Sequence, residues 1–491
     1  MNECIFPNGK VSKEYVLEKL RELNPASNPL YAKQDDISVA RLFSDTFKDV
    51  ARYCVTSRSW YTYDGTRWKQ DVESMVVESY AKTLARALLV YSADVTVEGY
   101  SIFVAKLGDR RRRVTMITDS RDFNAISQQS FDADPLLFNC QNCAINLSTF
   151  ERVPHSPELL LSKVSNVIYD ENASSPDFEK FMREVMLGDE NTIEYLRRVF
   201  GYSLTGENTR EECYILYGAT TRNGKSTLLD TLGYVFGDYA MNIQPETLAQ
   251  QKDRNSRSAS GDIARLHGAR LLHMSEPPKR MKLDVALLKQ LTGRDVITAR
   301  HLYEREFQFV PVFKLFMNTN FLPLVTDDTV FSSGRAKVIP FTRHFSPEEQ
   351  DTHLKERLKT PENVSGIFNW CLSGLRKYRE EGETLVIPPT VQTATDDYRE
   401  KSDKIKCFMK ECFIPSSSGS MTAKQAYDVF AVWCRENGYG VENKSNFLDE
   451  LRNKGLLHTT GTVNGITSHN VITGYMLDVS MLPDVSNPFD D

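Results

Sequence analysis

No stretch of the 491 residues approaches the roughly 20 consecutive apolar positions that a membrane-spanning helix needs. The opening MNECIFPNGK lacks the apolar core of a secretory leader, so export is not expected and a cytoplasmic protein is. Cysteine is sparse and odd in number: nine residues, which do not make a disulfide framework and read as reduced thiols. Cys140 and Cys143 form one CxxC, but no second pair at zinc spacing supplies the four ligands a structural site needs. Positive charge is not in excess either. The net charge of −6 excludes a generally basic coat but leaves room for a local basic channel. There are no internal repeats. What is present is 41% hydrophobic residues, ample for several buried cores at this length.

The strongest positive signal is Tyr214–Thr227, YILYGATTRNGKST. It reads as an apolar strand, a polar turn and a Gly-Lys-Ser opening a helix whose Leu228, Leu229, Leu232, Val235 and Phe236 share one face. Asn223 and Gly224 let the backbone form a nest of N–H groups, Lys225 reaches phosphate oxygens, and the Ser226 hydroxyl suits Mg²⁺. The nucleotide-binding set is therefore Gly218, Asn223, Gly224, Lys225, Ser226 and Thr227, with ATP and Mg²⁺ as cofactors and Ser226 and Glu276 as metal-facing groups. One feature departs from the usual loop: five residues, not four, separate Gly218 from Gly224. That leaves the role of Gly218 open.

Further segments stand at useful intervals. ARLLHMSE (269–276) is an apolar strand ending in Glu276, a group suited to polarising an attacking water. Two acids usually stand together there, and Ser275 occupies the first position. KLFMNTN (314–320) is another buried strand ending in amides, with Asn320 as a phosphate sensor and Asn318 as its competitor. SGRAKVIPF (333–341) presents Arg335 just before a strand. The ordered set GATTRNGKST, RLHGARLLHMSEPP, LKQLTGRDVITARHLY, FKLFMNTNFLP and SGRAKVIPF resembles the superfamily 3 helicases, in particular those at the C-terminus of phage and plasmid primases and of poxvirus primase-helicases. The resemblance implies that Lys225, Glu276, Asn320 and Arg335 are catalytic, Arg335 acting on a neighbouring subunit. It also implies a ring, expected as a homo-hexamer, 3′→5′ translocation, single-stranded and forked DNA as substrate, a separate primase or replication initiator as partner, and a bacterial host cell.

The expected fold is α/β: a P-loop AAA+-like ATPase core with an N-terminal accessory α+β region and a C-terminal winged-helix-like domain. Its divisions are a polar arm (1–38), the accessory domain (39–175), a helical collar (176–210), the ATPase (211–345), a helical extension (346–385) and the C-terminal domain (386–491). RLFSDTFKDVARYC (41–54) and Ser175–Phe200 read as helical, SWYTYDGTRWKQD as strand–turn–strand, and PSSSGS (415–420) as a linker. The C-terminal core is expected around Tyr427, Phe430, Trp433, Phe447, Leu448 and Leu451; this segment reads either as a DNA-groove binder or as a protein-interaction module. Within 289–310 a helix leads into a hairpin that would offer Arg300, His301, Arg305 and Arg294 to a DNA backbone. Individual arginines there compete between DNA, nucleotide and subunit contacts. Asp132-Ala-Asp134 with His155 mimics a polymerase metal motif, but the space before residue 175 is too short for a primase domain. Beside the helicase stand two other readings: a DNA-stimulated origin-melting ATPase, and a nucleotide-controlled DNA-binding scaffold.

Overall fold

Four apolar runs, CYILY, LLHM, KLFMNT and AKVIP, are too continuous for one-sided strands, and such runs favour a sheet buried on both faces. The computed structural model describes residues 11–250, 261–300, 306–325, 327, 329–437 and 439–478. In it these strands, with Ala240–Ile243, make one five-stranded parallel sheet. Across the sheet the order is 336–340, 213–217, 314–319, 271–274, 240–243. Counted along the chain that is 5-1-4-3-2. The strand starts are nearly level, with Cys213 opposite both Leu315 and Ala336, and Leu271 opposite Lys314 and Ala240. Their C-terminal ends therefore share one edge, where open α/β sheets place their ligands.

The chain forms two compact units. One takes the described residues up to Pro323 and those of Ser333–Gln392; the other takes Leu324–Ser332 and the residues from Thr393 on. In the first, helix Lys225–Phe236 buries Leu228, Leu229, Leu232, Val235 and Phe236, as its spacing predicts. Phe316 stacks between Phe200 and Tyr214, with centroids 4.8 and 5.1 Å away. Two cations lie buried beneath the sheet's other edge. Lys314 Nζ donates to the carbonyls of Thr205 (2.7 Å) and Val312 (3.2 Å) and sits 4.2 Å from the Tyr202 ring. Arg270 donates to the Leu137 carbonyl (2.7 Å) and lies over Tyr239 at 4.7 Å. Burial pushes the pKa of both downward, and Arg270 presses further on Lys314. Carbonyls and ring faces, not carboxylates, hold these charges.

Several expectations for the flanks need correction. Residues 11–38 are not a loose arm: Lys13–Leu23 is a helix, capped by Ser12, that buries Tyr15, Val16 and Leu20 on its narrow apolar stripe. The helix at 36–47 stops short, and Ala51–Cys54 is a strand because Ser59–Tyr63 pairs with it. The 175–200 segment is two helices, Pro176–Val185 and Glu190–Ser203, separated where Leu187 and Gly188 both take positive φ and Asp189 caps the second. The strand–turn–strand at 59–70 is as read, with Asp64 Oδ1 accepting from the Thr66 and Arg67 N–H groups. Among the described residues no helix is long and apolar enough to cross a membrane.

The second unit packs helices Lys404–Cys412, Ala423–Glu436 and Lys444–Asn453 on a three-stranded antiparallel sheet. Phe430, Trp433, Phe447 and Leu451 are buried as predicted, while Tyr427 and Leu448 are half-buried. The PSSSGS segment lies within strand Phe413–Thr422, correcting its reading as a linker. It pairs with Ile466–Leu477, with a register shift between Pro415 and Ser420, and its small side chains let Gly419 approach the Tyr475 carbonyl. Asn464 and Gly465, both at positive φ, turn strand His458–Val463 into Ile466–Leu477.

Helix Glu190–Ser203 crosses Pro361–Glu380 at backbone distance, with a glycine on each helix at the crossing. A Cβ on Gly374 would lie 2.0 Å from the Arg197 carbonyl oxygen, and one on Gly201 would lie 2.3 Å from the Leu375 nitrogen. Both obstacles are backbone and cannot swing aside. Gly374→Ala should therefore lose stability by about 1–3 kcal/mol despite alanine's better helix propensity. Urea denaturation followed by far-UV circular dichroism measures this; an unchanged or raised midpoint would contradict so close a crossing.

Candidate functional site

The 213–217 strand ends in a loop whose shape is set by what its glycines avoid. Gly218 donates its N–H to the Thr319 carbonyl at 3.2 Å, and a Cβ there would lie 2.2 Å from Asn223 Nδ2 and 2.6 Å from the Phe341 oxygen. Its role is thus to admit the Lys225 and Asn223 side chains, which explains how a loop one residue longer still closes. Gly224 begins the helix at φ 87°, against Val185 and Phe181, where a side chain has neither conformation nor space. Among the described residues no side chain caps this helix. Its leading N–H groups, which lack intrahelical partners, remain available to an anion. The far side of the loop is pinned by the segment after the last strand: the Phe345 N–H donates to the Arg222 carbonyl and His344 Nδ1 lies 2.9 Å from the Thr221 oxygen.

Lys225 is only 3% exposed. Its Nζ donates to Asn320 Oδ1 (2.8 Å), Asn223 Oδ1 (3.0 Å) and the Gly218 carbonyl (3.3 Å). Burial pushes its pKa down to about 8, with Glu276 acting in the opposite sense. Asn320 then donates from Nδ2 to Glu276 Oε1, so one amide bridges the ammonium and the carboxylate. The strand order makes this possible: Asn320 leaves the central strand, between the one that feeds the loop and the one that ends beside Glu276. Asn318, two residues earlier on the same strand face, donates to Ser226 Oγ at 3.0 Å. In sequence the two asparagines compete for one sensor role; the geometry gives each its own partner. Thr227 continues the helix behind Ser226.

The donor set suits a phosphate group with a hard cation. A charged Lys225, uncapped amides and a loop with glycine at both ends accept anionic oxygens, while the hydroxyl of Ser226 and the carboxylate of Glu276 are oxygen ligands. Both of those residues are exposed. The FDADP motif, in contrast, is used locally. Asp132 accepts from Ser162, and Asp134 Oδ1 accepts from the Leu136 N–H at 2.8 Å.

Arg335 does not join this cluster. It precedes the 336–340 strand, at the opposite edge of the sheet from Lys225, and pairs with Glu211 while donating to Thr292 Oγ1 at 2.9 Å. Arg294, itself exposed, donates to the carbonyls of Asn208 and Thr209. The hairpin is present as Ile297–Ala299 against Phe307–Phe309, with Thr298 outward and Phe307 and Phe309 buried. Arg300 comes directly after its first strand; His301 and Arg305 lie outside the described residues.

Comparison with known proteins gives the same direction. Residues 40–187 match the family described as D5 N terminal like, and residues 216–335 match a family of unknown function, DUF5906. The chain is similar to "Putative helicase L207/L206" of Acanthamoeba polyphaga mimivirus, 27% identical over 71% of this chain and 37% of that protein. It is also similar to "Putative primase C962R" of African swine fever virus (isolate Tick/Malawi/Lil 20-1/1983), 21% identical over 63% of this chain and 34% of that one. The chain thus spans about a third of the length of these curated relatives. Among solved structures, the NrS-1 C terminal region (305-718) aligns over 90% of this chain and 100% of that one, at 11% identity and a TM-score of 0.49. In its motif order and in these viral relatives, the chain is similar to phage and viral primase-helicase-like proteins.

Proposed function

We propose that the chain is an ATP-dependent replicative DNA helicase of a virus or mobile element, working as a homo-hexameric ring with 3′→5′ translocation. The observation that carries this reading is the hydrogen-bonded run Lys225–Asn320–Glu276 at the shared edge of three adjacent parallel strands. The 5-1-4-3-2 strand order supports an AAA+-like P-loop core, and the helices and hairpin of the second unit support a winged-helix-like domain. ATP is the substrate; Mg²⁺, held by Ser226 and Glu276, supplies charge neutralisation on the phosphates when bound. Lys225 exchanges Asn320 for phosphate oxygens, which frees the Asn320 carbonyl to orient the attacking water. Glu276 polarises that water. The hairpin bearing Arg300 tracks single-stranded DNA, and a primase or replication initiator is the expected partner.

Arg335 cannot act on the Lys225 of its own chain from across the sheet, which fits a residue that completes a neighbour's site. Its bonds to Glu211 and Thr292 also favour a second reading, in which it only fixes the sheet edge. Mixed rings separate the two. Arg335→Ala and Lys225→Ala, combined without nucleotide and then given ATP and forked DNA, should regain ATPase that neither has alone. Mixed rings no more active than either parent would assign Arg335 to the fold.

Hydrolysis itself gives a sharper expectation. Lys225→Ala should abolish DNA-stimulated ATPase, and Glu276→Gln should bind a fluorescent ATP analogue normally while losing at least about 10²-fold in turnover. Normal turnover by Glu276→Gln would remove its role.

The depressed pKa of Lys225 has a pH signature. Phosphate favours the charged ammonium, so binding raises a pKa that stands at about 8 in the free protein. Below pH 8 the site is already charged; above it, binding must take up a proton. Nucleotide affinity should therefore fall as pH rises past 8, by up to about tenfold per unit. Calorimetry at pH 9 in buffers of different ionisation enthalpy should register proton uptake, and Lys225→Arg should abolish it. A flat affinity between pH 7 and 10 would contradict the assignment.

A further inference from the structure

The strand tip beside a phosphate loop ordinarily carries two acids, and one of them holds the loop's hydroxyl in place for the cation. Here Ser275 stands in that position, and its side chain is committed elsewhere: Asn242 Nδ2 lies 3.2 Å from Ser275 Oγ, on the far side of the 271–274 strand from the loop. The other acid, Glu276, is held by Asn320. Among the described residues there is no cluster of three acids, histidines or cysteines that could hold a metal ion by itself.

The geometry points to Asn318 as the residue that replaces the missing acid, positioning the Ser226 hydroxyl for the divalent cation that accompanies the nucleotide phosphates. This rests on the nucleotide-binding reading above. Asn318 reaches Ser226 because its strand, not the one bearing Ser275, is the direct neighbour of the 213–217 strand. Asn318 lies in register with Leu216, two residues before Gly218. Its Nδ2 donates to one lone pair of Ser226 Oγ at 3.0 Å, which fixes the hydroxyl and leaves the second lone pair for the cation. An amide adds direction without charge. The cation must then be held by the nucleotide's own phosphates together with Ser226 and Glu276, so the site should take it up with the nucleotide rather than before it.

The test reads binding, not turnover. A fluorescent, non-hydrolysable ATP analogue is titrated onto the full chain at fixed pH while Mg²⁺ is varied. Asn318→Ala should raise the half-saturating Mg²⁺ concentration by roughly tenfold, the loss expected when a partner of a metal ligand is removed, and leave metal-free nucleotide binding unchanged. Asn318→Asp should lower it below the wild-type value, because a carboxylate restores the charge of the absent acid. Ser275→Ala should leave it where it is. Circular dichroism melts confirm that each variant is folded. If the wild-type chain binds no nucleotide with or without Mg²⁺, the nucleotide reading fails and this inference with it. If the wild type shows Mg²⁺-dependent binding while Asn318→Ala and Asn318→Asp titrate like it, Asn318 has no part in cation binding and only this inference falls. A shift in Ser275→Ala alone would return the role to the usual strand.

Discussion

The placement of one strand, Lys314–Thr319, governs the rest of the site. It is hydrogen-bonded on both edges, to 213–217 and to 271–274, so it cannot slide without breaking two ladders. Its first residue is an ammonium buried among carbonyls and the Tyr202 ring, and its middle is clamped in the Phe200–Phe316–Tyr214 stack. Its far end delivers Asn318 to Ser226 and Asn320 to Lys225 and Glu276. A buried lysine without a carboxylate is costly, and here that cost falls at the end of the strand farthest from the chemistry. The sheet is thereby anchored below and left polar above.

The electrostatics of the site depend on this arrangement. Lys225 has three oxygen partners but no direct carboxylate, and it is nearly inaccessible, so its charged form is only weakly favoured in the free protein. The bridging amide of Asn320 keeps ammonium and carboxylate from forming a closed ion pair. A direct Lys225–Glu276 pair would have to be broken before phosphate could enter, whereas a neutral amide exchanges one partner at a time.

Much of this is legible in residue order. The apolar runs, the Gly-Lys-Ser and the strand-tip residues Glu276 and Asn320 are local signals, and each appears where its pattern puts it. Features decided by tertiary neighbours are not legible in that way. Nothing in FMNTNF says that Asn318 will meet Ser226, because that contact depends on strand order. The function of Gly218 depends on which side chains share its space. Ala51–Cys54 and the PSSSGS strand form because partners exist for them, against weak or contrary local preference. Helix Lys13–Leu23 is hidden by its polar composition; only Tyr15, Val16 and Leu20 are buried. The bonds from Arg294 to the Asn208 and Thr209 carbonyls are likewise invisible in a motif that suggests DNA.

The division of the chain carries a last consequence. The second compact unit does not begin at Thr393, because Leu324–Ser332 belongs to it, with Val330 buried and the Phe331 ring 5.0 Å from that of Tyr398. The chain therefore leaves the first unit just after Asn320, lends nine residues to the second, and returns just before Arg335. Three covalent crossings join the two bodies where a simple tandem arrangement would have one. Protease cleavage near Gln392 would not release a self-sufficient fragment on either side: one piece would keep Val330 and Phe331 stripped of their seat, and the other would lose a structural member. The two bodies are stitched together, and they should be expressed, evolved and inherited as one.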